Sequence, residues 1–260
     1  MKFATGRAKK AFLTAAALAA SSAAYAHDFF LMPSAFTAPR TGTLEIQATV
    51  GSSFPKPENV VTADRVDRLY AEGVGKPRLS IVAPASNALN LHLTGTRAGT
   101  VVAGVSTKAR DVEYAEDRIP IILEEYRVSS QAQAAVEALS RPRTLKVSSR
   151  RFAKTIICVQ RCGDRSAATK PLGAELEFVM SGEAGDRFRL LKEGRPLGNY
   201  PVDLVGSDSR RQHFHTDARG EIRLPADAKG SMMLFSAVMA PPAGGDRFKL
   251  DLTSLTLQRR

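Results

Sequence analysis

Seven short apolar or alternating segments follow one another at even spacing between residues 175 and 257. Turn residues separate them, including Gly194, Gly206 and Ala218-Arg219-Gly220. Short strands at intervals of about 8–12 residues with turns between them are typical of an all-β sandwich or barrel. We therefore predict an immunoglobulin-like or transthyretin-like β-sandwich over 169–260. Its strands are expected at 175–180, 187–192, 200–205, 212–216, 221–224, 231–238 and 248–257.

Residues 27–168 are predicted to form an N-terminal β domain. The clearest strand is 43–50, where Leu44, Ile46, Ala48 and Val50 alternate with polar residues and share one face. Further strands are expected at 78–83, 89–93, 99–105 and 152–159. Proline and glycine clusters, such as those at 73–77 and 95–99, are interpreted as loops between them. Residues 160–173 are interpreted as a linker to the sandwich.

One segment of the N-terminal domain has a helical pattern instead. Ser130 followed by Gln133 resembles a capping box, in which the first side chain caps the helix and the second bonds back to it. Ala132, Val136 and Leu139 then follow at helical spacing. We predict a helix near 130–140 that ends before Pro142, because proline cannot continue a helix.

The first 26 residues have the three parts of a secretory signal. Four basic residues come first, an apolar run from Ala11 to about Ala20 follows, and small residues end in Ala24-Tyr25-Ala26. Cleavage after this A-x-A pattern would make His27 the first residue of the mature protein. The run is shorter than the roughly 20 residues that a membrane span needs, although an uncleaved anchor is the alternative. We expect a periplasmic protein whose mature chain does not span a membrane.

Charge and motifs exclude several classes of protein. The formal charge of +11 falls to +7 once the four basic residues of the signal peptide are removed. No basic stripe is interleaved with aromatic residues, and export argues against a nucleic-acid partner. The sequence has no G-x-S-x-G elbow, no H-E-x-x-H helix and no glycine-rich phosphate loop. We therefore expect a protein that is not an enzyme.

Cys158 and Cys162 are the only two cysteines. An exported chain meets an oxidising environment, in which an intramolecular disulfide is the usual outcome. Gln160, Arg161 and Gly163 favour a turn that would bring the two Cα atoms within bridging distance of about 7 Å. A disulfide is the leading interpretation, with a metal-binding or redox-active dithiol as the alternative.

Four stretches resemble a large family of exported bacterial proteins, most of which are uncharacterised. Residues 27–33, His-Asp-Phe-Phe-Leu-Met-Pro, resemble the family's "HDFW-L-P" opening, with Phe30 where the family usually has Trp. Residues 151–155 resemble its "R(Y/F)AK(S/T)" strand, residues 193–202 its "GKPLAGAPV" segment, and residues 216–222 its "TDA-G-(V/I)" turn. This family has been linked with nickel and cobalt uptake transporters. The resemblance implies an exported, prealbumin-like β protein, with a metal-uptake transporter of the inner or outer membrane as its partner.

The four histidines of the chain are the candidate metal ligands. Cleavage before His27 would create a free α-amine beside its imidazole, and the two nitrogens can chelate one divalent transition metal such as nickel, cobalt or copper. His213 and His215 flank Phe214 on a predicted strand, so both imidazoles should lie on one face. His92 should point away from the buried Leu91 and Leu93. An ordinary polar strand face or a frayed terminus would explain the same histidines without a metal.

These observations lead to three functional hypotheses. The first is a periplasmic, non-enzymatic protein that binds nickel, cobalt or copper and assists its uptake or delivery. The second is a binding or adhesion module of the cell envelope that recognises a glycan or a protein. The third is a copper oxidase whose metal is held by a histidine brace at His27.

Overall fold

The computed structural model describes residues 27–182 and 184–259. The predicted signal peptide at 1–26 lies outside these residues. The chain is mainly β, as predicted. The strands are β1 (Asp28–Pro33), β2 (Thr37–Ala38), β3 (Leu44–Gly51), β4 (Asn59–Val60), β5 (Val66–Pro84), β6 (Leu89–Thr107), β7 (Arg110–Ala115), β8 (Thr144–Val159), β9 (Leu176–Met180), β10 (Arg187–Lys192), β11 (Arg195–Pro196), β12 (Pro201–Gly206), β13 (Arg211–His215), β14 (Glu221–Arg223), β15 (Gly230–Ala240) and β16 (Phe248–Arg259). The helices are α1 (Ile119–Glu125), α2 (Ser130–Glu137) and α3 (Ser166–Thr169), with a 3₁₀ turn at Ala63–Arg65.

A 12-stranded sheet runs through the chain in the order β1-β3-β6-β8-β16-β15-β12-β13. Four further strands pair with members of this series: β2 and β7 with β8, β4 with β3, and β5 with β6. The contact between β8 and β16 is parallel, with Phe152 opposite Thr253, whereas most other neighbours are antiparallel. The predicted boundary between residues 168 and 169 therefore does not separate two sheets, because β16 of the C-terminal segment continues the sheet of the N-terminal one.

The C-terminal segment forms the predicted sandwich. A 4-stranded sheet of β9, β10, β11 and β14 packs against β12, β15 and β16 of the large sheet. Phe178 and Phe188 of the small sheet are buried against Leu204, Leu234 and Leu255 of the large one. Each of the seven predicted strands is present, with boundaries that shift by one or two residues. Burial of these large apolar side chains is the main force that holds the two layers together.

The long strands β5 and β6 correct two predicted loops. Residues 73–77 and 95–99 lie inside these strands, where the pairing is irregular. The two glycines sit where the backbones approach closely: a Cβ on Gly75 would lie 2.5 Å from the carbonyl oxygen of Gly95, and one on Gly95 would lie 2.2 Å from that of Lys76. Glycine here permits a bend within a continuous strand pair.

The helical segment is longer than predicted. The helix expected near 130–140 is α2, and its cap is Ser129 rather than Ser130, since the Ser129 side chain accepts a hydrogen bond from the Ala132 amide. The preceding α1 was not predicted from the sequence, although Pro120 stands in its first turn, where proline is favoured. Both helices pack on one face of the large sheet through Ile122 and Val136. No helix in the described part of the chain is long and apolar enough to cross a membrane.

The segment interpreted as a linker begins with a covalent constraint. Cys158 at the end of β8 and Cys162 form a disulfide, with Cα atoms 5.2 Å apart. The short helix α3 follows and buries Ala167 and Ala168 in the core of the sandwich. Residues 160–173 are thus packed against the domain rather than extended away from it.

A buried ion pair ties the large sheet to the small one. Lys154 on β8 donates to the Glu177 carboxylate at 2.7 Å and to the Phe178 carbonyl at 2.8 Å. The same carboxylate accepts hydrogen bonds from the Leu172 and Gly173 amides, each at 2.9 Å. Burial lowers the pKa of Lys154, and Glu177 offsets part of that effect. A buried charge of this kind is tolerated because its partners satisfy it.

Replacing Lys154 tests this pair. Lys154→Met should lower the free energy of unfolding by about 3–5 kcal/mol, because it leaves the Glu177 carboxylate buried without its counter-ion. Lys170→Met is the matched control, since Lys170 and Glu72 form an exposed pair at 3.2 Å and its loss should cost less than about 1 kcal/mol. Urea unfolding measures both. Equal small losses would show that the buried pair contributes no more than a surface one.

Candidate functional site

The strand that follows His27 is fixed on both of its edges. On one edge, β1 pairs antiparallel with β3. On the other, the Ser254 hydroxyl donates to the Phe29 carbonyl and the Thr256 hydroxyl to the Leu31 carbonyl, each at 2.6 Å. Phe29 and Leu31 are buried in one core and Phe30 in another. The exposed His27 therefore precedes an immobilised strand rather than a loose end.

A partly buried arginine, Arg211, joins the start of β1 to β12. The Asp28 side chain is almost fully buried, with 3 % of it exposed, and its Oδ2 accepts a hydrogen bond from Arg211 Nη2. Arg211 Nη1 donates to Asp203 Oδ2 at 2.8 Å. The guanidinium of Arg211 also lies over the Phe235 ring, 5.2 Å from its centroid. One planar cation thus bridges two carboxylates, an arrangement that the fork of arginine suits.

Asp203 is the centre of this network. Its Oδ1 accepts a hydrogen bond from Arg127 Nη1 and contacts His213 Nδ1, both at 2.8 Å. The carboxylate of Asp203 is buried, whereas 58 % of the His213 side chain is exposed. The carboxylate therefore fixes the imidazole through Nδ1 and leaves Nε2 facing solvent. A carboxylate behind an imidazole is the usual arrangement around metal-ligating histidines.

The carboxyl groups at this end of the molecule titrate abnormally. Burial raises the pKa of Asp28 to about 6, although Arg211 opposes this effect. Burial and the neighbouring charge of Asp28 raise the pKa of Glu125, at the end of α1, to about 7. Burial alone would lower the pKa of Arg211, but Asp28 and Asp203 outweigh it and raise that pKa. At neutral pH the site therefore contains a partly protonated acid beside a fixed ion-pair network.

A second arginine holds His27 itself. Arg151 Nη1 donates to the His27 carbonyl at 2.9 Å. Arg211 also binds Asp28, the next residue. Contacts on both sides of the His27–Asp28 peptide bond therefore restrain His27, which would carry the free amine.

The three candidate histidines other than His27 lie on two strands, β6 and β13. His213 and His215 share one face of β13, as predicted, while Phe214 packs into the sandwich core on the other face. His92 points away from the buried Leu91 and Leu93, also as predicted. It pairs with Glu45, near the Pro33 end of β1.

His92 is therefore too far from His27 to bind the same metal ion. The length of β1 separates the two residues, about 20 Å along the strand at 3.3 Å per residue. Across residues 27–182 and 184–259, no three side chains of His, Cys, Asp or Glu are grouped so that they could hold a metal ion. Any metal site at this terminus thus depends on the backbone amine of His27 as well as on side chains.

Sequence reasoning missed the charged residues that organise the site. Asp28 opens an apolar run, and Asp203 stands between Val202 and Leu204 in a strand. A carboxylate inside an apolar strand needs a buried cation, and this was the available indication. Arg211, two residues before His213, is the cation that the alternation of β13 places on the same face.

A family model matches most of the chain. The fold and site are those of a mainly β protein with a charge network beneath its first strand. Residues 24–240 match the domain of unknown function DUF4198, and the chain is a member of that family.

Solved structures give only distant likenesses. The D0-D1 domain of intimin aligns at 15 % identity over 89 % of this chain and 98 % of its own, with a TM-score of 0.23. The adhesin InvE of Yersinia pseudotuberculosis aligns at 14 % identity over 88 % of this chain and 58 % of its own, with a TM-score of 0.21. Scores this low carry no argument about function. A comparison with curated proteins found no match.

The raised pKa of Glu125 makes stability depend on pH. The folded state holds this proton more tightly than the unfolded state, so stability should fall as pH rises from about 5 through about 7. Glu125→Gln should abolish that part of the decline, with a melting temperature equal to wild type at pH 5 and higher on the order of 2–4 °C at pH 8. Thermal unfolding followed by circular dichroism at each pH measures it.

Glu124→Gln is the matched control, because Glu124 is an exposed neighbour on the same helix. It should leave the pH profile unchanged. A Glu125→Gln profile parallel to that of wild type would contradict the assignment.

Proposed function

We propose that this protein is a periplasmic, non-enzymatic metal-handling protein that binds a divalent transition metal at its mature N-terminus. One observation carries the proposal. Arg211 bridges Asp28, the residue after His27, to Asp203, the carboxylate that holds His213. A series of ion pairs and hydrogen bonds thus links Asp28, next to His27, with the His213 imidazole.

The ligand set is composed of nitrogen atoms. Once the signal peptide is removed, His27 offers its α-amine and its imidazole, and His213 offers Nε2. His215 lies on the same face of β13 and is exposed, so it is a further candidate. Amine and imidazole nitrogens suit copper and nickel, which accept tetragonal nitrogen sites, better than they suit cobalt.

The chain's own residues hold these donors and keep them accessible. Arg151 fixes the His27 carbonyl, Arg211 fixes Asp28, and Asp203 selects the His213 tautomer that leaves Nε2 free to bind. Because both histidines are exposed, an acceptor can reach a bound ion directly. This accessibility favours uptake or delivery, with a metal-uptake transporter of the inner or outer membrane as the partner. A bound metal would supply a transferable cargo rather than a catalyst.

Calorimetry with Cu(II) and Ni(II) on correctly processed protein tests the proposal. Adding one alanine before His27 moves the free amine away from the imidazole and should weaken binding by at least about tenfold. His213→Ala should also weaken binding, and affinity should fall as pH drops because protons compete for the same nitrogens.

His92→Ala is the matched control, since His92 lies at the far end of β1 and its loss should leave affinity unchanged. Unchanged affinity after addition of the alanine, or no binding of either ion by wild type, would overturn the proposal.

A further inference from the structure

A cleft of about 410 Å³ opens beside the predicted mature terminus. Its walls are β4 and the turn after it, the end of β6, the facing parts of β7 and β8, and the residue that follows α1. Arg151 lines the cleft and also donates to the His27 carbonyl. The cleft is within the size range of small-molecule sites, about 300–1,000 Å³.

The charge of this cleft is one-sided. Arg65, Arg110 and Arg151 line it, and none of the residues that line it is acidic. Arg65 donates one bond to the Lys108 carbonyl, and Arg151 one to the His27 carbonyl. Neither they nor Arg110 forms an ion pair with a carboxylate among the described residues. Since a guanidinium has five N–H donors, most of these donors remain available to a ligand.

Hydroxyl groups add further hydrogen-bond donors to the cleft. Tyr114 and Tyr126 line it with Ser149, and their hydroxyls have no hydrogen-bond partner within the described part of the chain. Burial raises the pKa of both tyrosines, so the hydroxyls remain protonated donors at neutral pH. Val112 and Val61 add apolar surface between them. Arginines with tyrosine hydroxyls and no acid form a surface that selects oxyanions.

The contrast with the rest of the molecule strengthens this interpretation. Arg127, Arg143 and Arg211 are each neutralised by a carboxylate within 2.9 Å. The arginines of the cleft, in contrast, have no carboxylate within ion-pairing distance among the described residues. A bound anion would supply the counter-charge that these arginines lack.

We propose that this cleft binds a small organic molecule bearing two or more carboxylate or phosphate groups. Arg110 and Arg65 clamp its charged groups, and Tyr114 and Tyr126 donate to their oxygens. The site is distinct from the nitrogen donors at the terminus and does not depend on a bound metal. Arg151 links the cleft to that terminus through its bond to the His27 carbonyl.

Calorimetric titration of the mature protein with citrate, pyrophosphate and acetate tests the proposal. Metal is removed beforehand on a resin, because an anionic chelator would compete for the cleft. Citrate or pyrophosphate should bind, acetate should bind far more weakly, and affinity should fall as salt rises. The tighter of the two polyvalent probes identifies the charged group that the natural ligand carries.

Arg110→Gln and Arg65→Gln should each weaken the bound probe by about tenfold. Arg195→Gln is the matched control, since Arg195 is exposed and lies outside the cleft, and it should bind like wild type. Thermal unfolding of each variant verifies folding. Absence of binding by both citrate and pyrophosphate, or equal weakening by Arg195→Gln, would overturn the proposal.

Discussion

The Arg211 guanidinium between Asp28 and Asp203 is the interaction on which this account depends. It joins residues 183 positions apart in sequence, from the first strand and the last third of the chain. A buried carboxylate without a cation costs several kcal/mol, so the ends of β1 and β13 must stay together for the fold to tolerate Asp28. The network therefore fixes where the predicted mature terminus lies, although it contributes less stability than the apolar cores.

Burial and charge have different roles in this molecule. The aromatic and aliphatic side chains of the three cores provide most of the favourable free energy. Two ionic clusters, Lys154 with Glu177 and Arg211 with its carboxylates, join strands that are distant in sequence. We regard specificity of packing as their main contribution, because a buried ion pair is seldom more stable than a well-packed apolar one.

The sequence predicted local structure better than long-range contacts. The strand alternation at 43–50 and the even spacing of the last seven strands were enough to predict the elements and the sandwich. The parallel contact of β8 with β16 had no local indication, since pairing between distant segments depends on the whole topology. Gly75 and Gly95 predict loops from sequence alone, because glycine is favoured both in loops and at bends inside strands.

The candidate site was predictable only in its histidines. His27, His213 and His215 stood out by chemistry and spacing, and strand alternation correctly turned His92 outward. His92 lies near the end of β1 that is opposite His27. Only the register of β1, β3 and β6 shows this position. The acid-free cleft could not be predicted, because Arg65, Arg110 and Arg151 come from three separate segments.

The central claim is that the charge network presents His27 and His213 to one metal ion. Electron paramagnetic resonance of Cu(II) bound to the mature protein tests it most directly. The ligand hyperfine splitting from nitrogen reports how many nitrogens coordinate the copper. The account predicts one coordinating nitrogen fewer in His213→Ala than in wild type. The same nitrogen count in both proteins would contradict it.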